Sequence, residues 1–130
     1  MCLIALSIKK ETDWDGKQSY FFTLVANRDE YHDRPTRKLN WWKDKEILAG
    51  RDELAGGTWL GLSKSGRFAA LTNYKENTTK KFKLSRGMLV TDFLESNESA
   101  KSYLEDLNKQ DYAGFNLIVG DRKGLFYCCN

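Results

Sequence analysis

The 130-residue sequence holds one proline, one histidine and three cysteines. A single histidine excludes a multi-histidine metal site built from this chain alone. One proline and 10 glycines exclude collagen-like and proline-rich classes. Three cysteines, two of them adjacent at Cys128 and Cys129, do not make a disulfide framework. No run approaches the roughly 18 apolar residues of a membrane-spanning helix. Charge of one sign is also scarce: 21 Lys+Arg face 18 Asp+Glu, a net +3. That excess is too small to argue for nucleic acid. The N-terminal apolar stretch Cys2 to Ile8 is strand-length and is followed by Lys9-Lys10. A signal peptide carries its positive charge first, so a cytoplasmic address is expected, with no membrane span and no nucleic-acid partner.

What is present suits one packed domain. Hydrophobic residues make up 41% and charged residues 30%, and 4 Trp, 6 Tyr and 7 Phe supply bulk. A chain of this length buries a core with little surplus. Cys2 to Lys9 reads as a strand, Asp15-Gly16 as its turn, and Tyr20 to Ala26 as the returning hairpin partner. A dense polar cluster, Asn27-Arg28-Asp29-Glu30, follows directly. Arg34-Pro35 breaks the chain into a loop. Trp41-Trp42 and Ile47 to Ala49 are short apolar pieces, punctuated by Gly50, Gly56 and Gly57. Thr58 to Leu62 and Arg67 to Thr72 flank the turn Ser63 to Gly66, with Asn73 closing the return strand.

Asn77 to Lys83 reads as loop, and the basic run Lys80, Lys81, Lys83 and Arg86 around Phe82 as a solvated face. The spacing of Leu89, Val90, Phe93 and Leu94 predicts a helix over Arg86 to Glu95, with Ser85 as N-cap. A second helix starting at Asn97 or Ser99 carries Ala100, Tyr103, Leu104 and Leu107 as its apolar stripe. Phe115 to Val119 and Leu125 to Cys129 form a third hairpin around Gly120 to Gly124. Strands, then two helices, then strands argue an α+β fold with largely antiparallel sheets. In any strand containing them, Cys128 and Cys129 point to opposite faces, which suits packing better than ligation.

Cys2 is the residue with the most chemistry to offer. An initiator methionine is generally removed before a small second residue, and removal leaves a thiol and a free α-amine on Cys2. Their reference pKa values lie near 8.5 and about 7.7–8.0, so the amine can take the thiol proton near neutral pH. Nucleophile and base then share one residue. The same residue also reads as a small apolar strand position, and composition alone favours that reading. The hairpin shifts the balance, because it returns Arg28 and Asp29 to the neighbourhood of Cys2. Arg28 is a candidate to stabilise the thiolate, and Asp29 to hold the α-ammonium. Asn73, after the small residues Ala69 and Ala70, is a candidate oxyanion donor at a strand end, or an ordinary turn-forming Asn.

Several stretches carry a resemblance, in order along nearly the whole chain. They are Met1-Cys2-Leu3-Ile4, Ala26 to Tyr31, Ala49-Gly50-Arg51-Asp52, Gly56 to Gly61, Gly66-Arg67, Leu71-Thr72-Asn73, Ser85-Arg86-Gly87, and Gly114 to Asp121. With them the sequence resembles the NRDE, or Transport and Golgi organization protein 2-like, family, and more remotely the N-terminal-nucleophile hydrolases. The resemblance implies the N-terminal half of an αββα fold. It also implies that residues 1–130 are an incomplete N-terminal part of a single NRDE-type domain, since family members are longer. It makes Cys2 the nucleophile of an amidohydrolase acting on a small amide, Arg28 its electrostatic partner and Asn73 the oxyanion donor. The site acid stays open between Asp29 and Glu30.

The alternative that the family carries is a non-enzymatic factor handling haem or lipid, or organising Golgi traffic. An amphipathic ligand then replaces the amide substrate. Met1, Cys2, His32, Cys128 and Cys129 are iron ligands by type, but no Cys-x-x-Cys-His attachment motif is present and no cofactor is expected. A third reading keeps the fold without the chemistry, with Trp41, Trp42 and Trp59 as core or partner-facing aromatics. Assembly into a homo-oligomer is left open.

Overall fold

A computed structural model describes residues 2–74, 77 and 79–130, with the backbone alone at Tyr20 and Phe21. The chain divides into two compact units, Met1–Glu30 and Tyr31–Asn130.

The first unit is one antiparallel hairpin of β1 (Leu3–Thr12) and β2 (Gln18–Asn27). Its ladder runs from Leu3 opposite Asn27 to Thr12 opposite Gln18. The turn accounts for its length. Gly16 takes φ +79°, a left-handed conformation that favours glycine. Asp13 N–H donates to Lys17 O at 2.8 Å, and Lys17 N–H to the Asp15 carboxylate at 3.1 Å. Closed this tightly, the ladder zips to the turn through Lys10, Glu11 and Thr12. Both strands therefore outrun the sequence expectation, which followed apolar residues only, and Cys2 sits just ahead of the ladder. Alternation gathers Ile4, Leu6 and Ile8 with Phe22, Leu24 and Ala26 on one face.

The second unit is a six-stranded antiparallel sheet in chain order. Its strands are β3 (Thr36–Trp41), β4 (Ile47–Asp52), β5 (Leu60–Ser63), β6 (Phe68–Asn73), β7 (Phe115–Asp121) and β8 (Gly124–Cys129). Helices α1 (Gly87–Glu95) and α2 (Ala100–Glu105) lie between β6 and β7 in sequence and pack on one face of the sheet. The α+β class with antiparallel sheets and two helices is thus observed. Leu89, Val90, Phe93 and Leu94 of α1 meet Ile47, Ala49, Ala69, Leu71, Leu117 and Val119 of the strands in one core. A Cβ on Gly61 would come 3.0 Å from Leu94 Cδ1, so glycine in β5 lets α1 sit close. Tyr103 locks the two helices, its hydroxyl donating to Leu89 O at 2.9 Å and its ring meeting Phe93 edge-on at 5.2 Å. Among the described residues no helix is long and apolar enough to cross a membrane.

Four local expectations need correction. The segment Thr36–Trp41 is a strand, although Leu39 and Trp41 are its only apolar residues; every residue of it is exposed on the sheet edge, so no core selects an apolar face. Gly50 lies inside β4 rather than punctuating it, where a Cβ would come 3.1 Å from Arg37 O. Arg86, not Ser85, occupies the N-cap position of α1, and no side chain caps it. The third hairpin turns at Arg122-Lys123 alone, because Asp121 accepts from Lys123 N–H at 2.7 Å and Gly124 N–H at 3.2 Å and tightens it. The second helix does start at Ser99, whose hydroxyl accepts from Ser102 N–H at 3.1 Å. Leu107 lies beyond its end yet still packs on the core. Lys80, Lys81 and Lys83 are exposed as expected, whereas Arg86 is half-buried and its Nη1 donates to Gly114 O at 2.9 Å; Thr78 of that loop lies outside the described residues.

The start of α1 is instead held by backbone contact. A Cβ on Gly57 would meet Gly87 C at 2.7 Å, and one on Gly87 would meet Thr58 N and O at 3.2 Å. Both are backbone atoms that cannot swing away. Gly57→Ala is expected to lower stability by about 1–3 kcal/mol, read as a lower urea midpoint at unchanged slope. An unchanged midpoint would contradict this contact.

Candidate functional site

The hairpin register builds the first cluster. Leu3 pairs with Asn27, so Cys2 and Arg28 are the first residues beyond the ladder at its open end. The half-buried Cys2 thiol lies 3.9 Å from the main-chain oxygen of Asp29. Arg28 Nη2 lies 3.5 Å from Glu30 Oε2, and their side chains are only 24% and 27% exposed. Within the first unit the structure thus places Asp29 at Cys2 and pairs Arg28 with Glu30. What meets the thiol is the Asp29 carbonyl, while its carboxylate belongs to an exposed residue. Met1 lies outside the described residues. A guanidinium and two acids stand within the four-residue segment Asn27 to Glu30.

Asn73 belongs to the second unit. It is the exposed last residue of β6, opposite Phe115, and alternation puts it on the side of Ala69 and Leu71. On the opposite side runs a polar ladder that the sequence reading did not single out. The Tyr127 hydroxyl donates to Asn116 Oδ1 at 2.8 Å, and Asn116 Nδ2 donates to Thr72 Oγ1 at 3.3 Å. Its one sequence signal is the polar Asn116 inside the apolar run Phe115 to Val119.

The matched stretch Ala49 to Asp52 has partners of its own in the same unit. Arg51 spreads over the Trp42 ring at 4.2 Å and bonds Asp44 at 2.9 Å. Asp52 pairs with Arg34 at 2.7 Å and accepts from Leu54 and Ala55 N–H. Burial pushes the Asp52 carboxyl up, but those hydrogen bonds outweigh it and hold the group below the usual carboxylate range. These residues brace β3, β4 and the following turn.

Cys128 and Cys129 do face opposite sides of β8: Cys128 packs on the core and Cys129 is exposed. All three cysteines are free, and no group of three or more His, Cys, Asp or Glu residues able to hold a metal occurs among the described residues. His32 is exposed. Burial pushes the Cys128 thiol up, with Lys109 offsetting part of the rise. In timed alkylation with iodoacetamide, Cys129 is expected to react ahead of Cys128. Cys128 labelling is expected to climb only above the ordinary thiol range, since a raised pKa keeps the neutral thiol to higher pH. Peptide mass mapping that finds Cys128 first would contradict the packing described.

Comparison with known proteins adds ancestry. The family model described as Transport and Golgi organisation 2 matches residues 1–130. A cattle protein, Bos taurus Transport and Golgi organization protein 2 homolog, is 42% identical over 122 residues, covering 87% of this chain and 44% of its own length. The human homolog of that name is 42% identical over 112 residues, covering 82% of this chain and 41% of its own. An uncharacterized protein of Saccharomyces cerevisiae is 33% identical over 121 residues, covering 78% and 38%. The chain thus spans less than half the length of these relatives. The resemblance carried by Asn27-Arg28-Asp29-Glu30 agrees with the family match.

Proposed function

We propose, since this chain belongs to the Transport and Golgi organisation 2 family, that it carries the nucleophile end of a cysteine amidohydrolase acting on a small amide. One observation carries the reading: half-buried Cys2 stands at the open end of the β1–β2 hairpin, its thiol 3.9 Å from the main-chain oxygen of Asp29, between Arg28 and Glu30 in sequence. Removal of Met1 puts the α-amine and the thiol on one residue. The amine takes the S–H proton, and the sulfur attacks the amide carbonyl carbon. As the C–S bond forms, charge moves to the carbonyl oxygen, and an oxyanion donor, the role that the family resemblance gives to Asn73, stabilises it. The C–N bond then breaks and the α-ammonium protonates the leaving nitrogen. Water, deprotonated by the same amine, cleaves the thioester to a carboxylic acid and restores the thiol. Arg28 favours the thiolate, and Asp29 or Glu30 holds the α-ammonium.

The layering supports this reading as one half of an αββα arrangement. Both helices cover one face of the six-stranded sheet. The opposite face is apolar along cross-strand rows, including Leu48, Leu62 and Phe68 in one and Leu60, Ala70 and Ile118 in the next. Three free thiols keep a cytoplasmic address in the reading. A second reading rests on those same apolar rows and on the relatives' names, which speak of transport and Golgi organization. It makes the chain a carrier of an amphipathic ligand such as haem or a lipid, or a trafficking factor.

Intact-mass spectrometry is expected to show a chain lacking Met1 that gains one acyl adduct from a mild acylating probe. Cys2→Ala is expected to remove that adduct. Retained Met1 in protein that turns over an amide would contradict the mechanism. Cys2→Ser separates the two readings: it abolishes turnover, whereas a Soret shift on haem titration survives it if the chain is a carrier.

A further inference from the structure

Arg67 is a charged residue at a core-facing position. It shares the alternation of Ala69 and Leu71, under the helices, and is only 9% exposed. Its guanidinium lies over the Phe93 ring at 4.0 Å. Nε donates to Phe93 O at 3.0 Å, Nη1 to Glu98 O at 2.7 Å and Nη2 to Ser96 Oγ at 2.9 Å. Every one of these acceptors is neutral. Among the described residues no carboxylate oxygen comes within 4.0 Å of the group, so its charge is buried without a contact counter-ion. Burial accordingly pushes its pKa down, with Asp121 and Glu98 opposing from longer range. The Asp121 carboxylate is committed elsewhere, to Ala100 N–H at 2.7 Å and to the N–H groups of Lys123 and Gly124. A buried cation costs free energy until an anion meets it.

Room for that anion is present. A pocket of about 280 Å³ lies between the β5–β6 turn, the α1–α2 connection and the β7–β8 turn, lined by Arg67 and built wholly within the second unit. Arg122 and Lys123, exposed at the β7–β8 turn, line it as well. Neither forms an ion pair among the described residues. Ser65, Ser96 and Ser99 add hydroxyls. Three cations therefore meet two acids, Glu98 and Asp121, and the more buried acid is spent on the backbone.

We propose that this pocket binds a phosphate-class oxyanion, either free or as the phosphate group of a small ester. Arg67 retains two N–H donors beyond the three it has spent, and a tetrahedral dianion can take these together with the Arg122 and Lys123 cations. The volume exceeds what a single ion fills, leaving space for part of a carrier molecule.

The test is calorimetric titration of the full chain at constant ionic strength with inorganic phosphate, with a phosphate monoester of a small alcohol, and with chloride as control. Saturable one-site binding is expected for at least one phosphate compound and none for chloride. Tighter binding of the monoester identifies an esterified ligand, and tighter binding of inorganic phosphate the free ion. The double substitution Arg122→Ala, Lys123→Ala alters only exposed turn residues. It is expected to leave the melting temperature unchanged and to weaken binding about tenfold or more. Arg67→Lys keeps the charge but loses the planar fork, and is expected to weaken binding also. Heats indistinguishable from chloride, or an affinity unchanged in the double variant, would overturn the proposal.

Discussion

A slip of one residue in the ladder that pairs Leu3 with Asn27 would turn every side chain of β1 to the other face. The same slip would carry Asp29 away from its place at the Cys2 thiol. The chemistry open to this chain thus depends on hairpin register, and register depends on the turn. Gly16 supplies the positive φ, and the Asp13 and Asp15 contacts close a loop whose length leaves the strands one pairing. Ile4, Leu6, Phe22 and Leu24 then share a face, which penalises any shifted alternative.

The stretches that tie the chain to its family divide by the work they do. Asn27-Arg28-Asp29-Glu30 borders the thiol. Gly57 and Gly87, from two different stretches, touch each other, and that contact seats the first turn of α1 against the strand connection. Arg51 and Asp52 tie β4 to Trp42, Asp44 and Arg34. Gly66-Arg67 ends in a cation under the helix pair. A family signature of this kind is largely a record of backbone contacts and ion pairs. Only its first two segments border Cys2.

The sequence was most legible where one face of an element is buried. Period-two runs and Asp-Gly or Ser-Gly turns identified the hairpins, and the 3.6-residue stripe identified α1. Thr36–Trp41 escaped because an exposed edge strand has no face for a core to select. Ser85 misled because capping chemistry was present in the sequence while the helix start is fixed by a glycine contact from elsewhere. Around Cys2, hairpin logic places Asp29 near the thiol, and its main-chain oxygen lies there at 3.9 Å. It did not reveal that Asp29 offers its carbonyl, which depends on backbone direction beyond the last ladder pair. In the sequence Arg67 stands out only as part of a family stretch, since nothing local marks a charged residue that buries itself under a helix.

The account rests on sulfur and amine cooperating within one residue. The most direct measurement is the pH–rate profile for acylation of the Cys2 sulfur, compared between the mature chain and a variant that retains Met1. Cooperation predicts a rate transition in the α-amine range, at about pH 7.7–8.0, that disappears when the amine is locked in a peptide bond. Superimposable profiles for the two forms would contradict it.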